Sequence, residues 1–324
     1  MSESHHRCCH AGALSDLDRL LATPDLTATV IDRPASEVLA ELPRLQQVVG
    51  VTVAGAVIVN DVGAHHRPAH RGDPLRIPTS GIGLRISPDL TDTVLITDPT
   101  PRTPPTVRVF DRDGKAAHVT YLLEESDRLA FEALRLSLSA DIDLRDRPDA
   151  DDASQATETD SATAYRPDPD DEPSPVDQVE LFDSILADGG RARRGSLVHD
   201  EAIQVNSRAV IATLKHAARL TLPITMGATG PGCLQIRHGA IHHAREHLGS
   251  MVLTSGPART MIDFNLIGQC WVTTVAGPWG PTAAVELYDQ RGRCCFIATQ
   301  TGLVSESTFD AWETLLGDLS DTRI

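Results

Sequence analysis

Two stretches of the chain alternate apolar and polar residues with a period of two and then break at the same kind of turn. Thr106-Val107-Arg108-Val109-Phe110 leads into Asp111-Arg112-Asp113-Gly114, and Ala284-Val285-Glu286-Leu287-Tyr288 leads into Asp289-Gln290-Arg291-Gly292. Alternation of this kind puts successive side chains on opposite faces of a half-buried strand, and Asp-x-x-Gly supplies a tight turn whose glycine can take a positive φ. A second apolar run follows each turn, so each copy predicts a hairpin. Upstream, Gly50-Val51-Thr52-Val53 is paired with Gly232-Cys233-Leu234-Gln235-Ile236, each a glycine opening a strand. Two similar halves predict a tandem duplication, and a duplicated domain often places its ligand in the cleft between its halves.

The flanking periodicity completes each half. Leu14–Leu21 and Pro34–Val49 predict helices, the second from the stripe Leu39, Leu42 and Leu45. Strands are expected over 50–60, 83–86, 94–96, 106–110 and 116–122, with a closing helix over 126–137. The second half repeats the order, with helices over 179–187 and 206–219, strands between 222 and 300, and a last helix over 307–319. Strands that follow one another through turns make an antiparallel sheet, so the fold class is α+β: a tandem duplication of a large antiparallel β-sheet domain flanked by helices.

Composition sharpens the boundary. The chain has 324 residues and a net charge of −16, and residues 141–177 alone hold 13 acidic side chains against Arg145, Arg147 and Arg166. This stretch is also rich in Pro, Ser and Thr and nearly devoid of apolar residues, so residues 145–176 are expected to be a disordered acidic linker. It separates an N-terminal repeat, 1–144, from a C-terminal repeat, 177–324. An acidic chain of this kind is a poor partner for nucleic acid. No apolar run is long enough to span a membrane, and no basic-then-apolar leader opens the sequence, which points to a cytoplasmic protein. The six cysteines form no regular framework, and the neighbours Cys294 and Cys295 point to opposite faces of a strand as reduced packing residues.

Nucleotide, serine-hydrolase and zinc-protease chemistry find none of their motifs here; Lys115 and Lys215 are the only lysines. Histidine stands out instead, in three clusters: His5, His6 and His10 near Cys8 and Cys9; His65, His66 and His70, expected as solvated loop residues; and His238, His242, His243 and His247. None has the paired spacing of a zinc site, although a haem iron needs only one or two axial ligands.

The motifs taken in order resemble those of the haemin-degrading, haem-utilisation HemS/ChuX-type family. In the first half these are Gly83-Leu84-Arg85-Ile86, Val109-Phe110-Asp111-x-x-Gly114, Ala117-His118-x-x-Tyr121-Leu122 and Ser126-Asp127. In the second they are Gly232-Cys233-Leu234-Gln235-Ile236, Trp271-Val272, Glu286-Leu287-Tyr288-Asp289-x-x-Gly292 and Trp312. The resemblance implies two repeats with haem held between them, in a cytoplasmic protein that receives haem from an importer. Such a protein passes the haem on or breaks its ring with electrons from a separate reductase. It further implies that Arg85 faces the iron as the distal and catalytic arginine, and that Arg193 binds a propionate. The family's axial histidine position falls on Glu180, with His199 and His243 as the spatial alternatives. The family's terminal Tyr and Arg are missing between Phe296 and Ser307, and its Arg-Lys-Pro reads Thr274-Val275-Ala276.

Overall fold

A computed structural model describes residues 14–136, 176–197, 202–277, 279–302 and 304–323. The expected acidic linker, apart from Val176, and the N-terminal His/Cys cluster lie outside these residues.

The first half runs α1 (Asp16–Leu21), β1 (Ala28–Ile31), α2 (Ala35–Glu41), β2 (Gln46–Ala54), β3 (Val57–Gly63), β4 (Ala69–His70), β5 (Gly83–Ile86), β6 (Thr91–Thr97), β7 (Thr106–Asp111), β8 (Ala116–Ser126) and α3 (Arg128–Leu136). In the second, a short β9 (Val176–Asp177) precedes α4 (Gln178–Asp188), α5 (Arg191–Leu197), β10 (Ile203–Val205) and α6 (Ser207–Arg219). Then come β11 (Pro223–Gly230), β12 (Cys233–Ala240), β13 (His243–His247), β14 (Ser250–Ser255) and β15 (Ala258–Asp263). The chain closes with β16 (Ile267–Gly277), β17 (Gly280–Asp289), β18 (Cys294–Thr299) and α7 (Glu306–Ser320).

The duplication is realised as two sheets that exchange strands. One has the order β1-β6-β7-β8-β2-β3-β15-β14-β13, the other β10-β16-β17-β18-β11-β12-β5-β4. Each repeat supplies six consecutive positions of its own sheet and sends further strands to extend the other. Thus β5 of the first repeat pairs with β12, Leu234 opposite Arg85, while β15 of the second pairs with β3. The sequence halves are therefore interlocked in space.

Two expectations shift at the second helix. It ends at Glu41 in a 3-10 turn, Leu42–Leu45, and Gln46 takes φ 58° to turn the chain into β2. Gly50 does not open a strand; it lies inside β2, where an added Cβ would sit 2.9 Å from Ile82. The true counterpart of Gly232, φ 65°, is Gly55, φ 58°, since both occupy the tip of the hairpin that follows the first long strand of their repeat.

Helices α2 and α3 cover one face of the first sheet through Val38, Leu39, Phe131 and Leu134. Helices α6 and α7 cover the corresponding face of the second through Val210, Leu214, Trp312 and Leu316. The opposite face of the second sheet lies under α4 and α5, which bury Leu181, Phe182, Ile185, Leu186 and Leu197 against Leu234, Trp271, Tyr288 and Ile297. Cys294 belongs to this layer and Cys295 to the other, both as free thiols, as alternation along a strand requires. The same face of the first sheet is only partly covered: α1 packs Leu17 on Leu95 and Phe110, leaving Val53 46% exposed.

Candidate functional site

The layer between α4/α5 and the second sheet holds the residues singled out in the sequence. Arg85 is 1% exposed on β5. Its Nε donates to Asp183 Oδ1 at 2.6 Å, and its Nη2 donates to Asp183 Oδ2 and to the Asp73 carbonyl, both at 2.9 Å. Asp183 also accepts the Gly72 N–H, so one carboxylate ties α4 to β5 and to the loop before it. Arg193, on α5, is likewise buried. It donates from Nε to Glu286 Oε2 at 2.9 Å and from Nη2 to Oε1 at 2.6 Å. Glu286, fully buried on β17, accepts further from Thr273 Oγ1 at 2.7 Å and Tyr288 Oη at 2.8 Å. Burial works against the Arg193 cation, but the Glu286 carboxylate outweighs it and raises the guanidinium pKa. Burial, then the Cys294 and Glu286 charges, push the Tyr288 phenol up.

Arg85, from β5, and Arg193, from α5, thus both enter the layer between the second sheet and its covering helices, but each is neutralised by a buried carboxylate. Glu180 is exposed on α4, turned away from the layer that its neighbours Leu181 and Phe182 fill. His243 stands exposed on β13, the edge strand of the other sheet, and is not brought to Arg85. His199 lies outside the described residues. Among those residues no group of three or more His, Cys, Asp or Glu is placed to hold a metal ion. The described residues of this layer do not fit a haem: its volume is occupied by apolar side chains, its two cations are neutralised, and Glu180 is not aimed inward. One remnant stands apart, since Arg85 Nη1 and Trp271 Nε1 are buried donors with no acceptor among the described residues.

Sequence reasoning missed the carboxylates. Asp183, one turn beyond Glu180, carried a signal as the charged residue of an otherwise apolar helix stretch. Glu286 carried a stronger one, a charge inside a strand whose neighbours are apolar, at the position held by Arg108 in the first repeat. It also misplaced His65. That residue is 3% exposed, its ring centroid 5.3 Å from that of buried His118, between the two sheets. His65 Nε2 shares a hydrogen bond with Thr120 Oγ1, and His118 Nδ1 with Thr52 Oγ1, both at 2.9 Å. Its neighbours His66 and His70 are exposed, as expected of loop residues.

Residues 14–138 match the family model of the haemin-degrading HemS.ChuX domain. The match covers the first repeat, less than half of the chain. No curated protein matches the sequence. Among solved structures, apo-PhuS, a haem-binding protein of Pseudomonas aeruginosa, is similar with TM-score 0.66 and 16% identity over 94% of this chain and 89% of that one. ChuS, a haem-degrading enzyme of Escherichia coli O157:H7, is similar with TM-score 0.68 and 17% identity over 90% and 86%. These likenesses span both repeats and show the fold.

Proposed function

We propose that this chain is a haem-binding protein of haem utilisation, taking haem as cargo in the cytoplasm from an importer. The observation that carries the reading is the haemin-degrading domain over residues 14–138, joined to a two-repeat fold that parallels PhuS and ChuS along nearly the whole chain. Carriage is the better-supported task. Ring opening would call on a separate reductase for electrons and on a distal group free to stabilise iron-bound oxygen. Arg85, the residue expected there, has two of its three nitrogens committed to Asp183 and Asp73.

A hemin titration followed at the Soret band tests the proposal. The expected result is a saturable shift at one haem per chain; a response equal to that of a non-binding control protein would overturn it. Addition of ascorbate or a reductase to the complex is expected to leave the Soret band in place, and its steady loss with release of iron would convert the carrier into a degrading enzyme. A second reading, a binding or regulatory protein that kept the fold and lost haem, is favoured by the neutralised Arg85 and Arg193. The control-like titration is the outcome it expects.

A further inference from the structure

The two repeats differ in what covers the outer face of the sheet, the face opposite α2 and α3 in the first and opposite α6 and α7 in the second. In the second repeat α4 is followed by α5, β10, α6 and β11, and α4 closes the outer face with Leu181, Phe182, Ile185 and Leu186. In the first repeat α1, β1, α2 and β2 come in the same order, so α1 is the counterpart of α5 and no described element stands for α4. Residues 1–13, which precede α1, contain no Val, Leu, Ile, Phe, Tyr or Trp and a single carboxylate, Glu3. They lack the side chains by which α4 covers its sheet.

The face left open is apolar, and its charges are of one sign. Residues opposite each other in a ladder point to the same side, so Val53, Ile58, Met261 and Val252 form one row across β2, β3, β15 and β14. Val53 is 46% exposed and Met261 36%. The neighbouring row runs Arg108, Val119, Val51, Asn60 and Arg259. Neither row holds a carboxylate, and Asp263, at the end of β15, is engaged by Asn265. Where this face meets the second repeat, a cleft of ≈ 1070 Å³ adds Arg112, Arg191 and Arg291 to its rim. None of these, nor Arg108, has a carboxylate partner among the described residues.

The strand charge is also inverted between the repeats. Glu286 and Arg108 each stand three residues before the Asp of their turn. Glu286 meets Arg193 from its covering helix α5, whereas Arg108 lies over the Tyr121 ring, 5.9 Å from its centroid. A cover for the first sheet must therefore supply the carboxylate itself. Helix α4 shows the form such a cover takes, with apolar residues on one side, Glu180, Asp183 and Asp188 elsewhere, and no basic residue.

We propose that the open outer face of the first sheet docks an acidic amphipathic helix of a protein partner, its aliphatic side on the Val53–Met261 row and a carboxylate on Arg108. Apolar anchors at helical spacing supply the contact, and the guanidinium–carboxylate pair fixes its orientation. A second copy of the chain is the poorer occupant, because two such faces would bury Arg108 and Arg259 together with no carboxylate between them. Docking of this kind is independent of haem binding.

A stapled peptide with the α4 sequence, Gln178–Asp188, serves as the probe, since an isolated helix of that length is marginal in water. Fluorescence anisotropy of the labelled peptide, titrated with the full chain, is expected to show saturable binding. Val53→Asp and Arg108→Glu are each expected to weaken it at least about tenfold, the scale of one charge-assisted pair, with the circular dichroism unchanged. Leu129→Asp, on α3 at 83% exposure, is expected to bind as the parent does. A peptide carrying Glu180→Lys/Asp183→Lys/Asp188→Lys is expected to lose binding. Absence of saturable binding, or equal losses in Val53→Asp and Leu129→Asp, overturns the docking surface. A parent that sediments as a dimer and becomes a monomer in Val53→Asp has a second copy on this face. Binding seen only after deletion of residues 145–176 puts the chain's own acidic segment there. Either result overturns the partner.

Discussion

At the residue scale, two arginines that read as ligand-binding groups in the sequence prove to be internal. Arg85 and Asp183 have side-chain exposures of 2% and 13%, Arg193 and Glu286 of 7% and 0%. Removing one partner of a buried pair strands the other charge, at a cost of about 3–5 kcal/mol, whereas exchanging both for apolar residues costs far less. Asp183→Ala is therefore expected to lower the urea midpoint sharply and Arg85→Met/Asp183→Leu to recover most of it; equal losses in single and double variants would show the pair is not coupled. The histidines make a pH prediction. Burial pushes His118 from 6.5 to about 3, and burial, then the His118 and His66 charges, push His65 well down. Below pH 6.5 the unfolded chain takes up protons that the folded chain refuses, so stability falls as pH drops, by about 1.4 kcal/mol per pH unit for each histidine. Urea midpoints from pH 7 to pH 4 should trace that slope, and His118→Gln should flatten it; an unchanged slope in the variant would assign the acid sensitivity elsewhere.

At the element scale, most of the fold was legible. The Asp-x-x-Gly hairpins, the helices α4, α6 and α7 and the separation of Cys294 from Cys295 follow directly from periodicity and turn chemistry, because those signals are local. What was not legible is long-range. Strand exchange puts Arg85 opposite Leu234, and no local pattern reports that partner. Nor could spacing reveal that Asp183 would reach across to Arg85, or that a loop histidine such as His65 would be drawn between two sheets to meet His118.

At the scale of the whole molecule, exchange of β5 and β13–β15 makes each sheet dependent on both repeats. A fragment of residues 1–144 would expose the β3 edge that β15 covers, and unpaired edges drive association. The fragment is expected to be oligomeric or insoluble alone and soluble when co-expressed with residues 177–324; a soluble monomer of the first fragment would contradict the interlocked description. Among the described residues no helix is long and apolar enough to cross a membrane. The most direct test of haem binding is hydrogen–deuterium exchange of the full chain with and without hemin. Protection on hemin addition is expected in segments of both repeats, as a ligand held between them requires. An exchange pattern that hemin leaves unchanged would contradict the haem reading.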